Sequence, residues 1–177
     1  MTTQDIAAAL QRVESVLRRR PEAGLHDDAP ATARWEGGTR VVASHANGTR
    51  LPTDMPSELG GSGDQVTPGW LFRAGLASCA TTSIALAAAR QGLVLDALEL
   101  HASSRSDTRG LLGMAGADGT PVPAVPGEVQ LRVRIAARGV PAQRLRTLVE
   151  DAVRCSPIPS AVEQALPVAL HVEVETQ

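Results

Sequence analysis

Lysine and tyrosine are absent from this chain, and only Phe72, Trp35 and Trp70 are aromatic. All 17 basic residues are arginines. A lysine-free, alanine-rich composition is most simply the codon bias of a GC-rich genome. It also excludes catalysis through a lysine Schiff base or a tyrosine acid. Two cysteines, Cys79 and Cys155, are too few for a disulfide scaffold or a zinc cage of sulfurs. His26, His45, His101 and His171 are scattered without metal-type spacing, so neither a metal nor a cofactor is expected. No apolar run reaches the roughly 18 residues of a membrane span. The N-terminus lacks the basic-then-apolar order of a signal peptide. A net charge of -2 and a pI near 6.1 argue against a nucleic-acid partner. The expectation is a cytoplasmic domain with no nucleic-acid or membrane partner and one thiol pair.

What is present fits one ordinary domain of 177 residues, 43% hydrophobic and 20% charged. Residues 4–19 read as an amphipathic helix, with Ile6, Leu10, Val13 and Leu17 at the 3.6 period and Thr2 or Thr3 as cap. With the linker at 21–30 it forms an N-terminal segment, 1–30, ahead of a main domain, 31–177. Residues 31–51 read as a β-meander turning at Gly37-Gly38 and Asn47-Gly48. Residues 52–67, with three glycines and two prolines, read as loop.

The longest helical stretch runs over 68–91, capped by Thr67, opened by Pro68 and ended by Gly92. Its small apolar residues face almost every direction, which predicts a helix buried on all sides with Cys79 at its middle. A strand is expected over 93–105, an irregular connection over 106–127, and a half-buried strand over 128–136. A helix from Pro141 ends at Cys155-Ser156-Pro157. Ser160 caps a short helix over 161–166, and Val168, Leu170, Val172 and Val174 mark a last alternating strand. The order predicts an α+β fold.

The cysteines admit two readings. Both can be small core hydrophobes, since free cysteine is among the most buried residue types. Alternatively they are a reactive thiol and its partner. An ordinary thiol with a pKa near 8.5 is only about 3% thiolate at pH 7, and a nearby arginine raises that fraction. Ser78 and Ser83 lie within hydrogen-bonding range of the Cys79 thiol in sequence, although such serines more often bond back to helix carbonyls. Gly60, Gly61 and Gly63 resemble a phosphate-cradling loop, without the lysine or the preceding strand such a loop needs. Arg105 and Arg109 flank Asp107 and read as a surface ion-pair cluster.

The run 56–63, Pro-Ser-Glu-Leu-Gly-Gly-Ser-Gly, followed by 67–79, Thr-Pro-Gly-Trp-Leu-Phe-Arg-Ala-Gly-Leu-Ala-Ser-Cys, resembles the OsmC/Ohr family. The strand 33–37, the turn 107–110, Cys155-Ser156-Pro157 and the ending 167–172 resemble it too, so the likeness covers roughly residues 31–175. The resemblance implies an OsmC-like fold, antiparallel sheets wrapped around long central helices in an intertwined homodimer. It also implies a thiol-dependent peroxidase acting on organic hydroperoxides. In that scheme Cys79 attacks the peroxide and becomes a sulfenic acid. Cys155 then condenses with it to an intrasubunit disulfide, which a dithiol, often of the lipoyl type, reduces.

Carried over by position, Arg40 is the arginine that polarises the thiolate, with Arg34 and Arg50 as alternatives. The family's glutamate after the helix-starting proline is replaced here by Gly69, leaving Glu58 or Glu36 to orient the arginine. Leu71, Phe72 and Leu76 are expected to line an apolar pocket with residues of the partner chain. The competing reading is a non-catalytic OsmC-like dimer that binds a small apolar ligand or senses oxidation, which the departure at Gly69 favours.

Overall fold

In the computed structural model, which describes residues 2–174, Thr2 opens helix α1 (Thr3–Arg19) through a reciprocal capping box with Asp5. The helix has no buried residue and lies on the surface of the fold. Val13, expected on its inner face, is 54% exposed. Ile6, Leu10, Glu14 and Leu17 form the half-buried row instead, and Glu14 pairs with Arg90 at 3.0 Å. That row leaves Val13 turned outward.

A three-stranded antiparallel sheet follows: β1 (Thr32–Gly37), β2 (Arg40–Ser44) and β3 (Arg50–Thr53), in that order. The meander runs two residues further than expected, because Val41 pairs with Thr53 and Val42 with Pro52. Proline is tolerated there because β3 is an edge strand.

The long helix α2 (Pro68–Arg90) forms as its end signals require. Thr67 Oγ1 accepts from the Trp70 N–H at 3.2 Å, and Pro68 occupies the first turn. Gly92 terminates the helix at φ +67°, so that the Leu93 N–H returns to the Ala88 carbonyl at 2.9 Å. That return delays the next strand, β4 (Ala97–Arg105), four residues beyond the expected start. Leu93 and Leu95 join the core instead. A one-turn helix, α3 (Thr108–Leu111), sits in the connection that reads as irregular, with Asp107 as its cap.

Strand β5 (Gly127–Ala136) pairs antiparallel with β4 in a second sheet. Leu98 faces Ile135 and Leu100 faces Val133, while Glu99 and Arg134 pair across the other side at 2.8 Å. Helix α4 (Ala142–Arg154) buries Leu145, Leu148 and Ala152. Helix α5 (Pro157–Gln164) starts four residues before the expected 161. Proline fits the first helical turn, so Ser156 rather than Ser160 takes the cap position, and Ser160 Oγ donates to the Arg154 carbonyl at 3.0 Å. Ala88, Leu93 and Leu148 form the buried cluster, with Ala87, Leu95, Ile135 and Val140 packed against it.

Two larger structural expectations are overturned, together with one about membrane-spanning length. First, α2 is not buried on every side. Leu76, Ala80, Ile84 and Ala88 form one buried stripe at four-residue spacing, whereas Trp70 is 48% and Leu86 38% exposed. Among the described residues, α2 packs chiefly against α1, α4, α5 and β4. By length and composition α2 is also apolar enough to cross a membrane, against the expectation that no such stretch occurs. Its many small residues raise the average without adding large apolar side chains. Second, the last strand does not form. Val168, Leu170, Val172 and Val174 are 92%, 83%, 72% and 79% exposed, and residues 167–174 carry no regular structure. The alternation suits a strand, but a strand needs a neighbour for its backbone groups, and among the described residues this segment pairs with neither sheet.

Candidate active site

Cys79 lies midway along α2, half-buried and with a free thiol. At 100° per residue, Phe72, Gly75, Cys79 and Ser83 share one row of the helix. The start of α5 crosses this row. Ile158 Cδ1 stands 3.8 Å from where a Cβ on Gly75 would lie, an ordinary packing distance for the crossing. Ser156 Oγ is 3.2 Å from Cys79 Sγ, and the Ile158 N–H donates to the same sulfur at 3.5 Å.

Ser156 is fully buried and holds the cap position of α5, yet its hydroxyl makes no capping bond. It faces the sulfur, and the sulfur takes the cap's place as acceptor for the second helical amide. Unpaired N–H groups give a helix start partial positive charge, and the Cys79 sulfur stands against the start of α5. Among the described residues, no arginine hydrogen-bonds this sulfur.

Cys155 terminates α4 and is exposed. It lines a groove of about 480 Å³ between α1, α2 and α4, with Leu10, Glu14, Ser83, Leu86 and Asp151 among its neighbours; Cys79 does not line it. The structure therefore brings Ser156, not Cys155, onto the Cys79 sulfur. Ser78 is exposed, and Ser83 faces the groove. Sequence reasoning missed Ser156, although a signal was present: a serine directly before a proline is the signature of a helix start.

Arg40 lies on β2 in a polar cluster. Its Nη2 donates to Ser62 Oγ at 2.8 Å and to Asp64 Oδ1 at 2.6 Å, and pairs with Asp54 Oδ2 at 3.1 Å. The carboxylates that hold Arg40 are thus Asp54 and Asp64, not Glu58 or Glu36. Glu36 pairs with Arg50 at 3.1 Å, and Glu58 accepts from its neighbour Ser57. Arg34 is exposed on β1.

Asp54 is nearly buried and is held well below the usual carboxylate range, first by the Ser62 hydroxyl and then by Thr39. It also accepts from the Met55 and Ser62 amides, which ties down the loop after β3. Gly61 must be glycine, because a Cβ there would meet the Met55 carbonyl oxygen at 1.8 Å. Gly61 and the Ser62 amide thus serve the packing of this loop.

Of the expected pocket residues, Leu76 is 2% exposed in the core stripe, and Leu71 and Phe72 are half-buried. The nearby groove of about 620 Å³ between α2 and β4 is lined by Trp70, Arg73, Ala74 and Ala77 instead. Ala77 is about half a turn round α2 from Cys79, so this groove opens on the other flank. Phe72 alone of the three shares the Cys79 row. Asp107 and Arg109 pair at 2.6 Å, which lowers the Asp107 carboxyl to about 2, whereas Arg105 pairs with Glu128 at 3.5 Å.

The family model for OsmC-like protein matches residues 61–171. An OsmC-like protein from Mycoplasma pneumoniae is 14% identical, with 78% of this chain and 89% of that one aligned at a TM-score of 0.63. An organic hydroperoxide resistance protein OsmC from Legionella pneumophila is 23% identical over 78% and 90% of the two chains, at 0.56. An organic hydroperoxide resistance protein from Elizabethkingia anophelis is 20% identical over 78% and 89%, also at 0.56. No curated protein matches the sequence significantly. At these identities the solved structures establish a shared fold.

Proposed function

The chain belongs to the OsmC-like protein family, and we propose that it is a thiol-dependent peroxidase reducing organic hydroperoxides to alcohols at Cys79. The observation that carries this reading is the Cys79 sulfur itself, half-buried and free, with Ser156 Oγ and the Ile158 amide converging on it. Two aligned structures are named organic hydroperoxide resistance proteins, which supports the substrate class. In the reaction, Cys79 thiolate attacks the outer peroxide oxygen. The S–O bond forms as the O–O bond breaks, and the alkoxide leaves and takes a proton to become the alcohol. The half-buried Phe72 ring in the same helix row favours an apolar substrate tail. A dithiol of the lipoyl type returns the enzyme to its reduced form, in a cytoplasmic setting.

The working unit is a homodimer. The exposed alternation of Val168, Leu170, Val172 and Val174 and the uncovered flanks of α2 come from the same chain, which suits a two-fold, self-complementary interface. Among the described residues, no helix packs extensively on the β1–β3 sheet that carries Arg40. On this reading Arg40 is the arginine offered to a Cys79 thiolate across that interface.

The test is consumption of cumene hydroperoxide with dihydrolipoamide as reductant. Cys79→Ser is expected to abolish turnover with the fold intact by circular dichroism. Parental turnover in that variant overturns the assignment. A second reading, a non-catalytic dimer that senses oxidation, is favoured by the lack of an arginine on the Cys79 sulfur among the described residues. Oxidation of Cys79 at a single equivalent, with no multiple turnover, distinguishes it.

A further inference from the structure

We propose that Cys79 is resolved without a disulfide to Cys155. Ser156 occupies the position facing the sulfur, and a thiol from outside the chain reduces the sulfenic acid. The proposal rests on the peroxidase reading and changes its second half.

Three observations carry it. The residue against Cys79 Sγ is a fully buried serine, 3.2 Å away, and a hydroxyl forms no bond to sulfur in this chemistry. Cys155, one residue earlier, points outward: it is exposed and lines the groove beside Leu10, Glu14 and Asp151, where Cys79 is absent. The junction between α4 and α5 that sets these opposite directions is held at several points. The Ser156 N–H donates to the Val153 carbonyl at 3.0 Å, the Ser160 N–H to the Ser156 carbonyl at 3.0 Å, and Ser160 Oγ to the Arg154 carbonyl at 3.0 Å. Pro157 fixes its own φ between them. Turning Cys155 inward breaks these bonds and drives Ser156 out of its buried place.

The chemistry balances with one external dithiol. After peroxide attack, Cys79 bears S–OH and sulfur has lost two electrons to the peroxide. The first thiolate of the dithiol attacks that sulfur. An S–S bond forms, the S–O bond breaks, and hydroxide leaves with a proton as water. The second thiol of the same molecule attacks its own sulfur in the mixed disulfide, releases Cys79 thiolate and departs as the cyclic disulfide. Throughout, the Ser156 hydroxyl and the Ile158 amide remain beside the sulfur, where they hold the sulfenic acid until the external thiol arrives.

The full-length protein, reduced and desalted, is treated with one equivalent of cumene hydroperoxide, trapped with dimedone and alkylated for mass mapping. Expected are one thiol lost per chain, a dimedone adduct on Cys79 and an alkylated Cys155. Cys155→Ser is expected to retain turnover with dihydrolipoamide within two-fold of the parent. Ser156→Cys is expected to lose two thiols under the same treatment and to yield a Cys79-linked disulfide at position 156. A Cys79–Cys155 disulfide in the parent, within a chain or across a dimer, overturns the proposal and leaves the peroxidase reading standing. So does a ten-fold loss of turnover in Cys155→Ser, or a Ser156→Cys chain that loses only one thiol. Oxidation of neither thiol overturns both.

Discussion

The family resemblance implies a glutamate where this chain has Gly69, and the structure makes the effect of placing one there calculable. Gly69 is the second residue of α2, after the Thr67 cap and Pro68, and it is exposed. A Cβ there would meet Arg73 Nη1 at 3.7 Å and Thr67 Oγ1 at 3.8 Å, both ordinary contacts, so a side chain fits. Replacing glycine by glutamate in a helix gains about 0.5 kcal/mol of backbone propensity. A carboxylate in the first turn gains about 0.3–1 kcal/mol against the helix dipole. The new carboxylate would also stand one helical turn before Arg73, acid ahead of base, which is the favourable order and is worth about 0.3 kcal/mol more.

Gly69→Glu should therefore stabilise the protein by about 1.5 kcal/mol, which for a chain of this length raises Tm by about 3–6 °C. The assay is a thermal melt of parent and variant at one protein concentration, because the Tm of the proposed dimer would depend on it. Salt should reduce the gain, since two of its three sources are electrostatic. A Tm that stays level or falls contradicts this account, and a fall would place a partner surface in the space before Gly69.

Three further outcomes follow from the same structure. Leu148 is 1% exposed against Ala88 and Leu93, so Leu148→Ala should cost about 2–5 kcal/mol in urea unfolding; a change under about 1 kcal/mol would contradict that packing. Asp54 and Asp107 are both held below the ordinary carboxyl value of 3.8, Asp54 chiefly by the Ser62 hydroxyl and Asp107 chiefly by Arg109. Their stabilisation is complete above the unfolded-state value and is lost as pH falls toward the native ones, about 2 for Asp107 and lower for Asp54. Asp54→Asn should therefore be less stable than the parent at pH 7 yet lose less stability on acidification from pH 5 to pH 2; equal losses would show that Asp54 is not the linked group. Leu170→Asp should leave the secondary structure intact and shift the protein to monomer in light scattering, and a persistent dimer would remove residues 167–174 from the interface.

Much of the fold was legible where a local signal and the final environment agree. Thr67-Pro68 and Gly92 delimit α2, Asn47-Gly48 turns the meander, and the alternation over Val129–Ile135 matches the half-buried face of β5. The misreadings share one cause. Leu93 and Leu95 have strand-like spacing, but the helix end claims the Leu93 amide before the strand begins. Val168–Val174 has strand alternation but pairs with neither sheet among the described residues. Ser160 has the composition of a cap, but Pro157 starts the helix first.

At the candidate site, composition and local order suffice to put Cys79 mid-helix and to leave arginine as the only permanent side-chain cation. Periodicity also sets Phe72 and Cys79 on one row of α2, since a helix face is fixed by its own repeat. Which group meets the sulfur, and which carboxylates hold Arg40, are matters of tertiary packing. Those pairs join residues 77 and up to 24 positions apart, so they depend on how α5 crosses α2 and how the loop after β3 folds back on β2. Neighbours in sequence such as Cys155 and Ser156 share every local signal, yet one ends exposed and the other buried, because the junction they occupy turns only one of them toward the core.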